Sequence, residues 1–130
     1  ESTSRAWRFA QQYKSQYSPG FMAGWDIGRA AILTRWGCYL GWITESEARG
    51  ILWDLSQKVV EELHSWREFA QSYLFGGLMW KLLCGDNSAA SYLGYIADAA
   101  TDLLTGKDEQ DGGQWHDCPW PAQRKIGFTL

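Results

Sequence analysis

One charged residue stands on an otherwise apolar helical stripe. Arg29 falls at helical spacing with Trp25, Ile32 and Trp36. A guanidinium removed from water without a partner is very costly, so it demands a carboxylate or solvent. Asp26, three residues earlier, can supply the carboxylate from the same side of a helix. Two chemistries follow. The pair can be architectural, locking this helix into its neighbours. Alternatively Arg29 can line a cleft and capture a carboxylate or phosphate with its planar fork of donors. The architectural pair is the expectation, because buried ion pairs more often hold structure than substrate. Arg35 lies near the face of Gly28 and Ala31 and reads as a solvated arginine, within reach of the same region if the helix overlies a groove.

Glu47 and Glu68 resemble a general acid/base pair. Each also stands three residues after a hydroxyl residue, Thr44 and Ser65, in the Thr/Ser-x-x-Glu pattern of a helix capping box. Capping accounts for both. Ser65 as a nucleophile needs a base, and neighbouring His64 projects in another direction with no third member to orient it. His64, Cys38, Cys84 and the His116-x-Cys118 pair match no compact zinc spacing, so no metal is expected. Phosphate loops, dinucleotide fingerprints and HExxH are absent from the sequence, and no cofactor is expected.

These residues need helices to position them. Ser4 to Tyr17 carries Trp7, Ala10, Tyr13 and Tyr17 at helical spacing, closed by Ser18-Pro19-Gly20. A second helix is predicted over Met22 to Leu40, with Trp25, Ile32, Leu33, Trp36 and Leu40 as its apolar stripe. Gly24, Gly28, Gly37 and Gly41 in that stretch imply close approach of another helix or a break near Gly37. The helix capped by Thr44 is expected to bury Ala48, Ile51, Leu52, Leu55, Val59 and Leu63. The one capped by Ser65 runs to about Leu83, stops at Gly85, and is apolar nearly all round from Tyr73, which places it at the centre. After Asp86-Asn87-Ser88, a fifth helix over Ala89 to Leu104 carries Leu93, Ile96, Ala100 and Leu103 inward and ends at Gly106. The fold is read as all-α, a compact orthogonal bundle of about five helices over 1–106. Residues 107–130 form an irregular tail packed on the same domain, with Trp115 and Trp120 pinning it down.

The 130 residues suit one domain that folds without disulfide or metal. Nine Trp, six Tyr and five Phe predict an aromatic core. A net charge of −3 with scattered basic residues disfavours nucleic acid as a partner. No apolar run is long enough to span a bilayer. Three widely spaced cysteines and no leader-like start point to reduced thiols in a cytoplasmic protein. Glu1 is not an initiating residue, so an upstream segment is expected.

Trp25-Asp26-x-x-Arg29, Arg35-x-Gly37, Gly41, Glu47-Ala48, Ser65-Trp66-x-x-Phe69, Tyr73, Gly76 and Trp80 together resemble a bacterial family typified by the YbeU and YbeR proteins, the domain of unknown function twelve sixty-six. Trp115 and Pro119-Trp120 resemble that family's usual end, so the likeness covers roughly Trp7 to Trp120. The pattern departs at Gly77, where the family commonly carries Arg. The resemblance implies a bacterial, cytoplasmic, helical domain and carries no activity with it. The expectation is a non-catalytic protein-interaction domain whose partner is another protein. One concrete version is an immunity-type partner that masks a basic toxin. The alternative is a small enzyme or toxin domain acting on an anionic, nucleotide or phosphorylated, substrate. Its polar cluster would be Asp26, Arg29, Arg35, Glu47, Ser65, Trp66 and Glu68.

Overall fold

The computed structural model describes residues 2–13, 16, 19–106 and 113–121. These form an all-α bundle: α1 (Ser2–Tyr13), a 3-10 turn (Pro19–Met22), α2 (Ala23–Tyr39), α3 (Glu45–Glu62), α4 (Trp66–Leu83), α5 (Ala89–Thr105) and the short α6 (Gln114–Asp117). The turn expected at Ser18 and the tail segments 107–112 and 122–130 lie outside the described residues.

Both predicted capping boxes start helices. Thr44, in extended conformation, accepts the Glu47 N–H at 3.1 Å, and Ser65 accepts the Glu68 N–H at 3.0 Å. Glu68 sends its carboxylate back to the His64 N–H at 2.7 Å, one residue before the cap. The end of α2 is set by Gly41, whose φ of +80° suits a residue without Cβ. Trp42 N–H then bonds the Gly37 carbonyl at 2.9 Å and turns the chain into α3.

The fourth helix is the centre, packing against α1, α2 and α5, while α2 bridges it to α3. Gly24 of α2 lies beside Ser72, Gly28 beside Phe69 and Tyr73, and Trp25 against Gly76 and Gly77. Ascending α2 therefore descends α4, so the two run antiparallel. Their approach is close enough that a Cβ on Gly24 would stand 2.7 Å from that of Ser72. The glycines of α2 thus serve contact, and the helix continues unbroken through Gly37.

The most deeply buried positions are mostly small side chains, with Phe21 among them. Leu63 and Ser72 are fully buried, with Ala6, Phe21, Ala48, Val60, Ala70 and Ala100 around them. Trp7, Trp36, Trp42, Trp53 and Trp80, five of the nine tryptophans, are more than half exposed, so the expected aromatic core holds only for the rings packed around Phe21, Tyr73 and Phe75. On α1, Ala6 is buried and Phe9 stacks on Phe75 at 5.0 Å, so the inner face is rotated one residue from Trp7 and Ala10. Leu33, Trp36 and Leu40, expected inside, are exposed, as are Ile51 and Leu93. The cause is reach. The α2–α4 contacts fall on the first half of α2, and beyond them the helix is covered only on the side holding Thr34 and Gly37.

Candidate functional site

The antiparallel α2–α4 seam carries a continuous aromatic run. Positions 66, 69, 73, 76 and 80 recur at spacings of three and four along one side of α4. Trp25 reaches into the gap left by Gly76, lying 5.1 Å from Tyr73 and 6.4 Å from Trp80 between ring centroids. Over its ring sits the Arg29 guanidinium, 5.6 Å from the centroid. Arg29 and Asp26 are both exposed, and no ion pair joins them. The expected buried pair is therefore corrected: position 29 points away from the glycines through which α4 approaches. The indole face holds the cation instead, an attraction worth about 0.5–1 kcal/mol at an exposed site. From α5, the Tyr92 hydroxyl fills the space beside Gly77, where it is buried without a hydrogen-bond partner. Burial pushes the phenol up to about 12; nearby Tyr73 adds to this and Arg29 opposes it. Lys81 lies over the Tyr92 ring, 5.0 Å from its centroid, and pairs with Asp86 at 2.9 Å.

At the other end of the seam the run continues through Phe69, 6.4 Å from Tyr73, to Trp66 at 6.1 Å. Trp66 is the platform for the 113–121 segment. Trp115 stacks on it at 5.0 Å with 10° between planes, and Trp120 meets it edge-on at 5.0 Å. Its indole N–H donates to the Cys118 carbonyl at 2.6 Å. The pinning of this part of the tail by Trp115 and Trp120 is therefore as expected. Trp66 and Trp120, with Cys118 and Pro121, border an open apolar pocket of about 240 Å³ against Leu55, Val59 and Phe69.

Residues 1–120 match the sequence model of the family described as "Protein of unknown function (DUF1266)". The chain belongs to that family. No curated protein and no solved structure matches it. The fold gathers part of the motif set along the seam: Trp25, Arg29, Tyr73, Gly76 and Trp80 at one end, and Trp66, Phe69, Trp115 and Trp120 at the other; Arg35, Gly41 and Glu47 lie away from it. Gly77 leaves room for the Tyr92 hydroxyl.

The polar candidates of this DUF1266 domain are spread over the surface. Glu47 lies in the first turn of α3 and Ser65 beyond its end, so roughly 25 Å of helix separates them. Both hydroxyl caps are spent on backbone N–H groups, and Glu68 on His64. Arg35 is exposed at the edge of an open groove of about 450 Å³, with Tyr39, Glu45, Arg49 and Leu52. Arg29 stands elsewhere, on the Trp25 ring. Among the described residues no group of three or more His, Cys, Asp or Glu side chains converges, and no helix is long and apolar enough to cross a membrane. Sequence reasoning passed over Ser72 and Tyr92. Ser72 left a signal in principle, as a hydroxyl on the helix just before its apolar stretch.

Proposed function

We propose that this chain is a non-catalytic protein-interaction domain of the bacterial cytoplasm, its partner another protein. The observation that carries the reading is the set of large apolar side chains that the α2–α3 hairpin leaves in solvent. Tyr39 is 89% exposed, Trp42 79%, Trp53 61% and Ile51 41%. Large apolar side chains left in solvent, several on one hairpin, mark a surface that meets something other than water. Tyrosine and tryptophan are also among the residues that dominate binding energy at interfaces. The groove beside Tyr39 and Leu52 offers a seat for an apolar side chain, and the exposed Arg49–Glu45 pair at 2.7 Å gives it a polar rim. The bacterial setting follows the resemblance. The cytoplasmic setting follows the thiols of Cys38, Cys84 and Cys118, none of which is joined to another cysteine. Dispersal of Asp26, Arg29, Arg35, Glu47, Ser65 and Glu68 weighs against the alternative of an anion-processing pocket.

The test is a double variant, Trp42→Ser with Trp53→Ser, expressed tagged in the native host. Both side chains face solvent, so the melting temperature should hold within a few degrees. A protein that co-purifies stoichiometrically with the wild type should be lost from the variant. Retention of that protein by the variant would sink the reading.

A further inference from the structure

We infer that the uncovered face of α2 pairs with the same face of a second copy of this chain, the two helices running antiparallel about a two-fold axis beside Leu33. This goes beyond the interaction reading above and concerns a different surface of the domain. Trp25, Arg29, Leu33, Trp36 and Leu40 follow one another at spacings of four, four, three and four, a single stripe along the helix. Leu33, Trp36 and Leu40 are 53%, 56% and 56% exposed. Elsewhere on the helix Gly24 and Gly28 are covered by α4 and Gly37 by Ile43, while Asp26, Arg35 and Tyr39 flank the stripe in solvent.

A second copy is favoured because the stripe complements itself. An isologous contact requires that the partner of each residue be present on the same surface. About an axis between Ile32 and Leu33, position 29 comes level with position 36 of the other copy and position 25 with 40, and the two Leu33 residues lie within one residue's rise of each other. The Arg29 guanidinium, already on one side against Trp25, then receives the Trp36 indole of the second copy on its other side. The two Arg29 residues stay about 10 Å apart along the axis, seven residues of helix rise, so like charges do not meet. Asp26 stands at the stripe's edge and is not buried by the pairing. Three half-exposed side chains per copy fall below the roughly 800 Å² per partner of a standard interface, which makes the dimer weak and reversible.

Sedimentation velocity over a dilution series should show a monomer–dimer equilibrium. Leu33→Glu places two carboxylates at the axis and should give a monomer at every concentration, with an unchanged melting temperature because the site is exposed. Arg29→Ala and Trp36→Ala should each weaken dimerisation about tenfold, and the double variant by much less than a hundredfold, since both delete the same contact. With the three native cysteines changed to serine, Leu33→Cys should form an intermolecular disulfide under mild oxidation, and Ser46→Cys on α3 should not. A wild type that is monomeric throughout, whatever else covers the stripe, overturns self-pairing. So does a dimer that survives Leu33→Glu. Neither outcome touches the Trp42 and Trp53 experiment, which decides the broader reading separately.

Discussion

The Ser72 hydroxyl accepts the Gly24 N–H at 2.9 Å and donates to the Phe21 carbonyl. The middle of α4 is thereby tied to the entry of α2, at a place without solvent. Gly24 stands in the first turn of α2, where backbone N–H groups have no partner inside the helix. The cap residue Met22 offers no side-chain oxygen, so Ser72 supplies the missing acceptor from another helix. Ser72→Ala leaves a buried N–H unsatisfied and should lower stability by about 1–3 kcal/mol. Urea denaturation followed by far-ultraviolet dichroism would measure it, and a variant as stable as the wild type would remove Ser72 from this role.

Gly76→Ala should cost about 1–3 kcal/mol, because the new methyl group is driven into the Trp25 side chain in a seam with no slack. In a Trp25→Ala background the same substitution should cost much less. A double-mutant cycle on urea midpoints reads the coupling, and additive costs would mean that the two residues do not share one space.

Tyr92 gives the domain an alkaline limit. Its phenol ionises at 10.0 ordinarily and at about 12 in the fold, chiefly because it is buried. The folded state holds this proton more tightly than the unfolded chain. The resulting stability is complete below 10.0 and is lost as pH climbs towards 12. Melting temperatures recorded across that range should fall less steeply for Tyr92→Phe. At neutral pH the variant should be at least as stable as the wild type, since it removes a buried hydroxyl that has no partner.

Asp86 acts at the acid end. Hydrogen bonds from the Ser88 hydroxyl at 2.6 Å and backbone N–H at 2.7 Å, with Lys81 at 2.9 Å, hold its carboxyl well below the ordinary 3.8. Its contribution is present above that ordinary value and is lost as pH falls below it. Asp86→Asn should flatten the acid decline in melting temperature and loosen the α4–α5 turn. Faster amide exchange at Ser88 in the variant would register that loosening, and equal exchange rates would count against it.

The elements were largely legible in the sequence because their signals are local. Thr44 and Ser65 announce two helix starts, Gly85 and Gly106 two ends, and the apolar stretch after Tyr73 marks the central helix. Which side of each helix is covered was less legible. That depends on how far a neighbour reaches, and α4 meets only the first half of α2, leaving Leu33, Trp36 and Leu40 in solvent. Arg29 was misplaced for the same reason: its neighbours in the stripe are apolar, yet the stripe faces outward. The tie from Ser72 to Gly24 spans 48 residues, and no periodicity encodes it. The meeting of Trp66 with Trp115 and Trp120 was visible only as a general expectation that the tail is pinned.

The Trp66–Trp115 stack also makes the domain its own instrument. An indole gives a near-ultraviolet dichroic signal when it is held in a fixed asymmetric setting, so the contribution of Trp115 lasts only while the 113–121 segment is docked on Trp66. Far-ultraviolet ellipticity, by contrast, follows the five long helices. Undocking of the segment can therefore be followed optically and apart from melting of the bundle, with no label attached.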